Sequence, residues 1–225
     1  MKWMFDCDDT LYDLQAPFNE TMAEFFPYLD ADLDELYKEF RKIGDDVFEI
    51  QEAGIISMDA SVIYRVVMLC KNKNLDWDID MAKRFVRTYR DHQYHISLSP
   101  LFKEFLEEYG KDVVVLSNGQ DEHQRRKFKS LQLDKYIPED HLFTSGQIGV
   151  AKPNKEAFLK VLDILGQKPE DWTYVGDHYV NDMLGASSAG MHTLQINRHH
   201  HQEGPAAEKV VYSEEECLAF IRNKE

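Results

Sequence analysis

The sequence predicts an α/β protein built on a parallel sheet and interrupted by an all-helical insert. Three observations carry that expectation. Short apolar runs end in polar clusters, capped helical segments alternate with them, and one long stretch near the N-terminus is helical in pattern throughout.

Taken in order, the first run is Trp3-Met4-Phe5, and it stops at Asp6. Candidate helices follow at 17–27, 32–42, 58–71 and 79–91. The third carries Val62, Ile63, Val66, Val67, Leu69 and Cys70, a core-facing stripe, with Ser57 placed to cap it. A strand-to-strand crossover needs only about a dozen residues, so roughly 80 helical residues read as a domain of their own. The expected division is therefore a catalytic core of 1–14 and 96–225 and a helical domain of 15–95. Pro100 to Tyr109 has Ser99 as N-cap, proline in the first position and Gly110 at its end. The run Val113 to Leu116 leads into Ser117-Asn118-Gly119, and a helix from Pro153 to Leu165 closes at Gly166. Trp172 to Val175 leads into Gly176-Asp177, His192 to Ile196 is the last strand read, and Ser213-Glu214-Glu215-Glu216 is a capping box opening a final helix. In such folds the ligand crevice lies outside the carboxyl ends of the strands, where these polar clusters sit.

Composition narrows the function. The 225 residues include 43% apolar and 12% aromatic residues, which excludes disorder and leaves a sizeable core. Against 26 Lys and Arg stand 41 Asp and Glu, a formal net charge of -15 that repels nucleic acids and anionic membranes. An anionic substrate must then be held by local cations. Cys7, Cys70 and Cys217 form no C-x-x-C pair, which points to a reducing compartment and away from a zinc site. The early acids leave no room for a signal peptide, and no apolar run approaches the ~18 residues of a membrane span. A soluble, cytoplasmic protein with a small-molecule partner is expected.

The most informative segment is Phe5-Asp6-Cys7-Asp8-Asp9-Thr10-Leu11-Tyr12. With Asp13, a buried strand ends in four acids, and grouped carboxylates escape their repulsion through raised pKa values or a bound divalent cation. Oxygen ligands without a His or Cys cluster favour Mg2+, and Asp177, after its own strand, is a further candidate ligand.

These residues resemble the haloacid dehalogenase-like (HAD) superfamily of phosphohydrolases. Its first motif, D-x-D-x-T, is matched by Asp6, Asp8 and Thr10. The second, an apolar strand ending in Ser or Thr, is matched by Val113 to Ser117, the third by Lys152 before Pro153, and the fourth by Gly176-Asp177 with Asp182. The resemblance implies a Rossmann-like core with helices on both faces and a helical cap domain inserted between the first two motifs.

It also implies a chemistry. Asp6 would attack phosphorus to form an aspartyl-phosphate. Asp8 would be general acid and then base, with a pKa above that of Asp6. The metal, Mg2+, would be held by the Asp6 and Asp177 side chains and the Asp8 backbone carbonyl. Ser117 and Lys152 would bind the phosphoryl group, Thr10 would orient the first loop, and the amides after Asp6 and Ser117, the latter that of Asn118, would donate to phosphate. Asp182 would act one shell out, through Lys152 or a metal water. The implied activity is a Mg-dependent phosphatase acting on a small phosphorylated metabolite, either a nucleotide or a sugar phosphate. A pyrimidine 5'-nucleotidase-like enzyme, a phosphomutase, a haloacid dehalogenase (which needs neither metal nor second aspartate) and a non-catalytic scaffold are the alternatives.

Other residues read more plainly. Asp9 and Asp13 are turn acids or cap contacts, His199-His200-His201 is a solvated loop, and His178 is either a pocket or a loop histidine. Cys7 is a partly buried side chain facing away from the metal. Of the aromatics, Tyr12, Phe18, Phe48 and Tyr64 either meet substrate or fill the core.

Overall fold

The computed structural model describes residues 2–224. The chain divides into two compact units, one of Met1–Asp13 with Ile96–Glu225 and one of Leu14–His95.

The first unit is built on a six-stranded sheet: β1 (Lys2–Phe5), β2 (Val113–Ser117), β3 (Leu142–Thr144), β4 (Trp172–Gly176), β5 (His192–Ile196) and β6 (Lys209–Val211). Their spatial order is β3-β2-β1-β4-β5-β6, and every pairing is parallel. Phe5 is in register with Val115 on one side and Val175 on the other, so β1 is central and the chain reverses direction across the sheet there. That reversal opens a crevice at the carboxyl ends of β1, β2 and β4. Strands β3 and β6 have three residues each, too short to announce themselves by alternation.

The second unit contains α1 (Gln15–Phe25), α2 (Leu33–Glu52), α3 (Met58–Lys73) and α4 (Ile79–Gln93). Its core is aromatic. Phe18 packs on Phe40 at a ring separation of 4.9 Å, and Tyr89 meets Phe40 edge-on at 5.8 Å. Each such ring, once buried, contributes roughly 2–3 kcal/mol. Helix α2 runs well past residue 42, where the sequence suggested an end, because Gly44 is a packing residue and not a stop. A Cβ there would stand 3.0 Å from Arg65 Nε. The Arg65 guanidinium lies 3.9 Å from the Phe40 ring centre, and its Nε donates to the Phe40 carbonyl at 3.1 Å.

The remaining helices belong to the sheet unit: α5 (Pro100–Tyr109), α6 (Asp121–Ser130), α7 (Ser145–Ile148), α8 (Lys155–Leu165), α9 (Gly185–Ser188, preceded by a π-helical turn at Tyr179–Leu184) and α10 (Glu214–Arg222). Caps fix their starts. Ser99 Oγ accepts from Phe102 N, and Ser213 Oγ accepts from Glu216 N. Neighbouring residues of β1 face opposite ways: Met4 joins Val114, Leu116, Tyr174 and α8 residues Phe158 and Val161, while Phe5 meets Phe102 and Phe105 of α5 at 6.3 and 5.9 Å. The parallel sheet thus has helices on both faces. Among the described residues no helix is long and apolar enough to cross a membrane.

Candidate active site

Asp6 leaves β1 beside Asp177, which leaves β4, and both are buried at 6% exposure. The Asp6 amide still donates to Val175 O at 2.8 Å, so the sheet ladder itself fixes its position. Lys152 approaches from the loop before α8, and all three of its ammonium hydrogens have partners: Asp6 Oδ1 at 2.8 Å, Tyr174 Oη at 2.7 Å and Asp182 Oδ1 at 2.6 Å. Tyr174 passes its own hydrogen to Leu116 O at 2.8 Å. Asp182 Oδ2 accepts from the His178 amide at 2.9 Å, which ties the turn after β4 to the same lysine. Burial, outweighing the nearby Lys152 charge, raises the Asp6 carboxyl to about 7. For Lys152, burial works against the charge, but Asp182 and Asp6 prevail and hold the ammonium well above its ordinary value.

Asp8 has a different environment. Its Oδ1 accepts from Tyr12 Oη at 2.7 Å, and Lys127 Nζ lies 2.9 and 2.7 Å from its two oxygens. Gln124 Nε2 adds a contact at 3.3 Å to Oδ2. Burial pushes this carboxyl up, but the Lys127 ammonium and the hydrogen bonds overcome it and hold the group at about 2. The two carboxyls are thus pushed in opposite directions, Asp6 up by burial and Asp8 down by Lys127, a lysine of α6 that the motif reading did not include.

Ser117 sits at the end of β2, 1% exposed, between these groups and β3. The Asn118 side chain is engaged elsewhere: its Nδ2 donates to Lys152 O at 2.8 Å and its Oδ1 accepts from Lys152 N at 2.9 Å. Asn118 thus positions the Lys152 main chain, and only its amide remains for an anion. Thr10 is fully buried, and among the described residues its hydroxyl has no hydrogen-bond partner. Arg198 holds the first loop by donating to the carbonyls of Asp9 and Thr10 while pairing with Glu214.

The histidine tract does not form a solvated loop throughout. His199 is 15% exposed, and its Nε2 lies 3.7 Å from Asp9 Oδ1 and 3.4 Å from Asp13 Oδ1. Bonding to Asp13 and Asp9 outweighs burial and lifts the imidazole to about 9. Asp9 is 1% exposed with φ 56°, a left-handed conformation costly for a residue with a side chain. Cys7 is buried completely, and burial raises its thiol. His178 caps the turn after β4, its Nδ1 accepting from Asn181 N at 3.2 Å. Tyr12 and Phe18 are buried, whereas Phe48 and Tyr64 are 43% and 39% exposed.

The donor set suits a divalent cation. Asp6, Asp177 and Asp182 each offer an oxygen within 4.8 Å of the others, and all three are buried. Asp182 already accepts from Lys152 on one oxygen and from the His178 amide on the other. Four carboxylates, those of Asp6, Asp8, Asp177 and Asp182, share this end of the sheet with two ammonium groups, Lys127 and Lys152. With all four ionised the formal excess is two negative charges, the charge of one oxygen-preferring divalent ion, whose binding would favour the ionised form of Asp6.

Residues 4–190 match the haloacid dehalogenase-like hydrolase family. Over 212 residues, the chain is 28% identical to a glyceraldehyde 3-phosphate phosphatase of Methanopyrus kandleri, covering 89% of this chain and 85% of that protein. Among solved structures, a HAD hydrolase of Bacillus subtilis, YfnB, bound to magnesium, aligns with a TM-score of 0.71 at 21% identity, covering 98% and 97% of the two chains. An L-2-haloacid dehalogenase of Xanthobacter autotrophicus aligns with a TM-score of 0.74 at 14% identity, covering 99% and 98%.

Proposed function

The chain belongs to the haloacid dehalogenase-like hydrolases, and within them we propose that it is a Mg2+-dependent phosphatase of a small phosphorylated metabolite. The observation that carries this reading is the cluster of three buried carboxylates, Asp6, Asp177 and Asp182, able to hold a divalent cation, with a lysine against the nucleophile. The likeness to a phosphatase over most of both chains supports it.

In the proposed reaction, one Asp6 oxygen attacks phosphorus, the ester P–O bond breaks, and the leaving oxygen takes a proton from Asp8. Water then attacks the aspartyl-phosphate, Asp8 recovers the proton, and phosphate leaves with the Asp6 carboxylate restored. Asp8 therefore has to acquire its proton as the substrate dianion enters, since added negative charge raises a neighbouring carboxyl. Lys152 keeps Asp6 in line and neutralises the charge it shares with phosphate, while Ser117 and the amides after Asp6 and Ser117 donate to phosphoryl oxygens. A divalent cation on the Asp6 and Asp177 side chains and the Asp8 carbonyl would supply Lewis-acid stabilisation of the phosphoryl group.

One observation favours a second reading, dehalogenation. A halide leaves without a proton, and Asp8 is held ionised by Lys127. The two readings separate in one experiment: phosphate release from sugar phosphates, nucleoside monophosphates and an aryl phosphate, and halide release from 2-haloacids, each with Mg2+ and with chelator. Magnesium-dependent phosphate release that Asp6→Asn abolishes is expected. Chelator-resistant halide release, or phosphate release undiminished in Asp6→Asn, would overturn the proposal.

A further inference from the structure

The clamp on Asp8 lies outside every motif that points to this family. Two of its three parts come from α6, which begins four residues after Ser117 and looks, in sequence, like a solvated charged helix, Asp121-Glu122-His123-Gln124-Arg125-Arg126-Lys127. Yet Gln124 is 2% exposed and Lys127 is 3% exposed. They stand three residues apart, on one face of the helix. An ionised carboxylate offers about four acceptor directions. Here Oδ1 receives Tyr12 and Lys127, and Oδ2 receives Lys127 and Gln124, so both oxygens are fixed and the plane of the carboxylate with them. Gln124 also donates to Asn118 O at 2.5 Å, which joins the clamp to the loop that follows Ser117 and, through Asn118, to Lys152.

A buried lysine is expensive to desolvate, and its placement here has a consequence besides stability. Without it, Asp8 would keep only the neutral donors Tyr12 and Gln124 and would stand as an uncompensated anion two residues from the nucleophile, repelled by Asp6. Resting on the phosphatase reading above, we infer that Lys127 is a positioning residue: it fixes the plane of the Asp8 carboxylate, cancels its charge toward the incoming phosphate, and gives up one of its two contacts when Asp8 takes its proton. In this role Lys127 acts on the reaction through Asp8.

A role exerted through Asp8 has a signature that simple support of the fold lacks. Lys127→Met preserves length and removes the charge. It should lower kcat about ten- to a hundredfold with a smaller change in KM, part of the roughly hundredfold or more that a placed acid–base group gives. Lys127→Arg, which can hold a carboxylate with two donors, should recover most of the loss. In an Asp8→Asn background Lys127→Met should cost nothing further, because the group it positions is already disabled. Lys127→Gln serves as the uncharged variant if Lys127→Met does not fold, with circular dichroism checking each protein. Unchanged kcat in a folded uncharged variant, or a loss that multiplies with that of Asp8→Asn, would overturn the inference and leave the phosphatase reading standing. A wild-type protein that releases no phosphate from any ester would overturn both.

Discussion

Replacing His199 by Gln tests whether the loop after β5 is fastened to the catalytic loop by charge. In the wild-type protein the imidazole lies between Asp13, at 3.4 Å, and Asp9, at 3.7 Å, and bonding to them lifts it from 6.5 to about 9. At ~1.36 kcal/mol per pKa unit, such a shift corresponds to at most ~3.4 kcal/mol of pH-dependent stability. Asp13 is 49% exposed, so water screens part of the attraction, and ~1–2 kcal/mol is the expected size. Because the folded pKa is raised, this contribution is complete below about 6.5 and disappears as the pH rises through about 9. Denaturant unfolding of wild type and His199→Gln at pH 6, 8 and 10 isolates it, since the other titrating groups are common to both proteins. The stability gap should be largest at pH 6 and smaller by ~1–2 kcal/mol at pH 10. A gap that stays constant across this range, or widens with pH, would refute the reasoning.

The other predictions concern the lysine network. Gly176→Ala places a Cβ against the Asp182 carboxylate, so Asp182 must move away from Lys152 and the His178 amide; kcat should fall by about tenfold or more in steady-state assays with Mg2+. Tyr174→Phe removes one acceptor from Lys152 and the donor to Leu116 O, two buried hydrogen bonds, and should cost ~1–3 kcal/mol in denaturant unfolding.

What could be read from the sequence depended on whether a residue's local pattern matched its final environment. The strands at 113 and 172 are continuous apolar runs because both faces are covered, and their ends carry the polar residues of the crevice. Ser57, Ser99 and Ser213 announced helix starts because a cap is a local interaction. The end of α2 was not legible for the converse reason: the helix continues through Gly44, which makes room for Arg65, a neighbour 21 positions away that no local pattern contains. The three-residue strands β3 and β6 are held by pairing with longer strands, and that too is invisible locally.

The same distinction separates the acids of the site from the groups that tune them. Asp6, Asp8 and Asp177 stand out because carboxylates at the ends of apolar strands have no role in building a core, while Asp182, inside the turn that follows β4, stands out only through its motif. Lys127 and Arg198 do not stand out, since a basic residue in a polar segment is ordinarily solvated. Their importance comes from what the fold sets against them, Asp8 in one case and the carbonyls of Asp9 and Thr10 in the other. The expected order of Asp6 and Asp8 took no account of this lysine. Two carboxylates on one strand end have no intrinsic order; their surroundings impose it, and the decisive partner arrives from a helix more than a hundred residues later. If Lys127 sets that order, replacing it should alter catalysis only in proteins that still possess Asp8, a dependence no inspection of the four motifs would suggest.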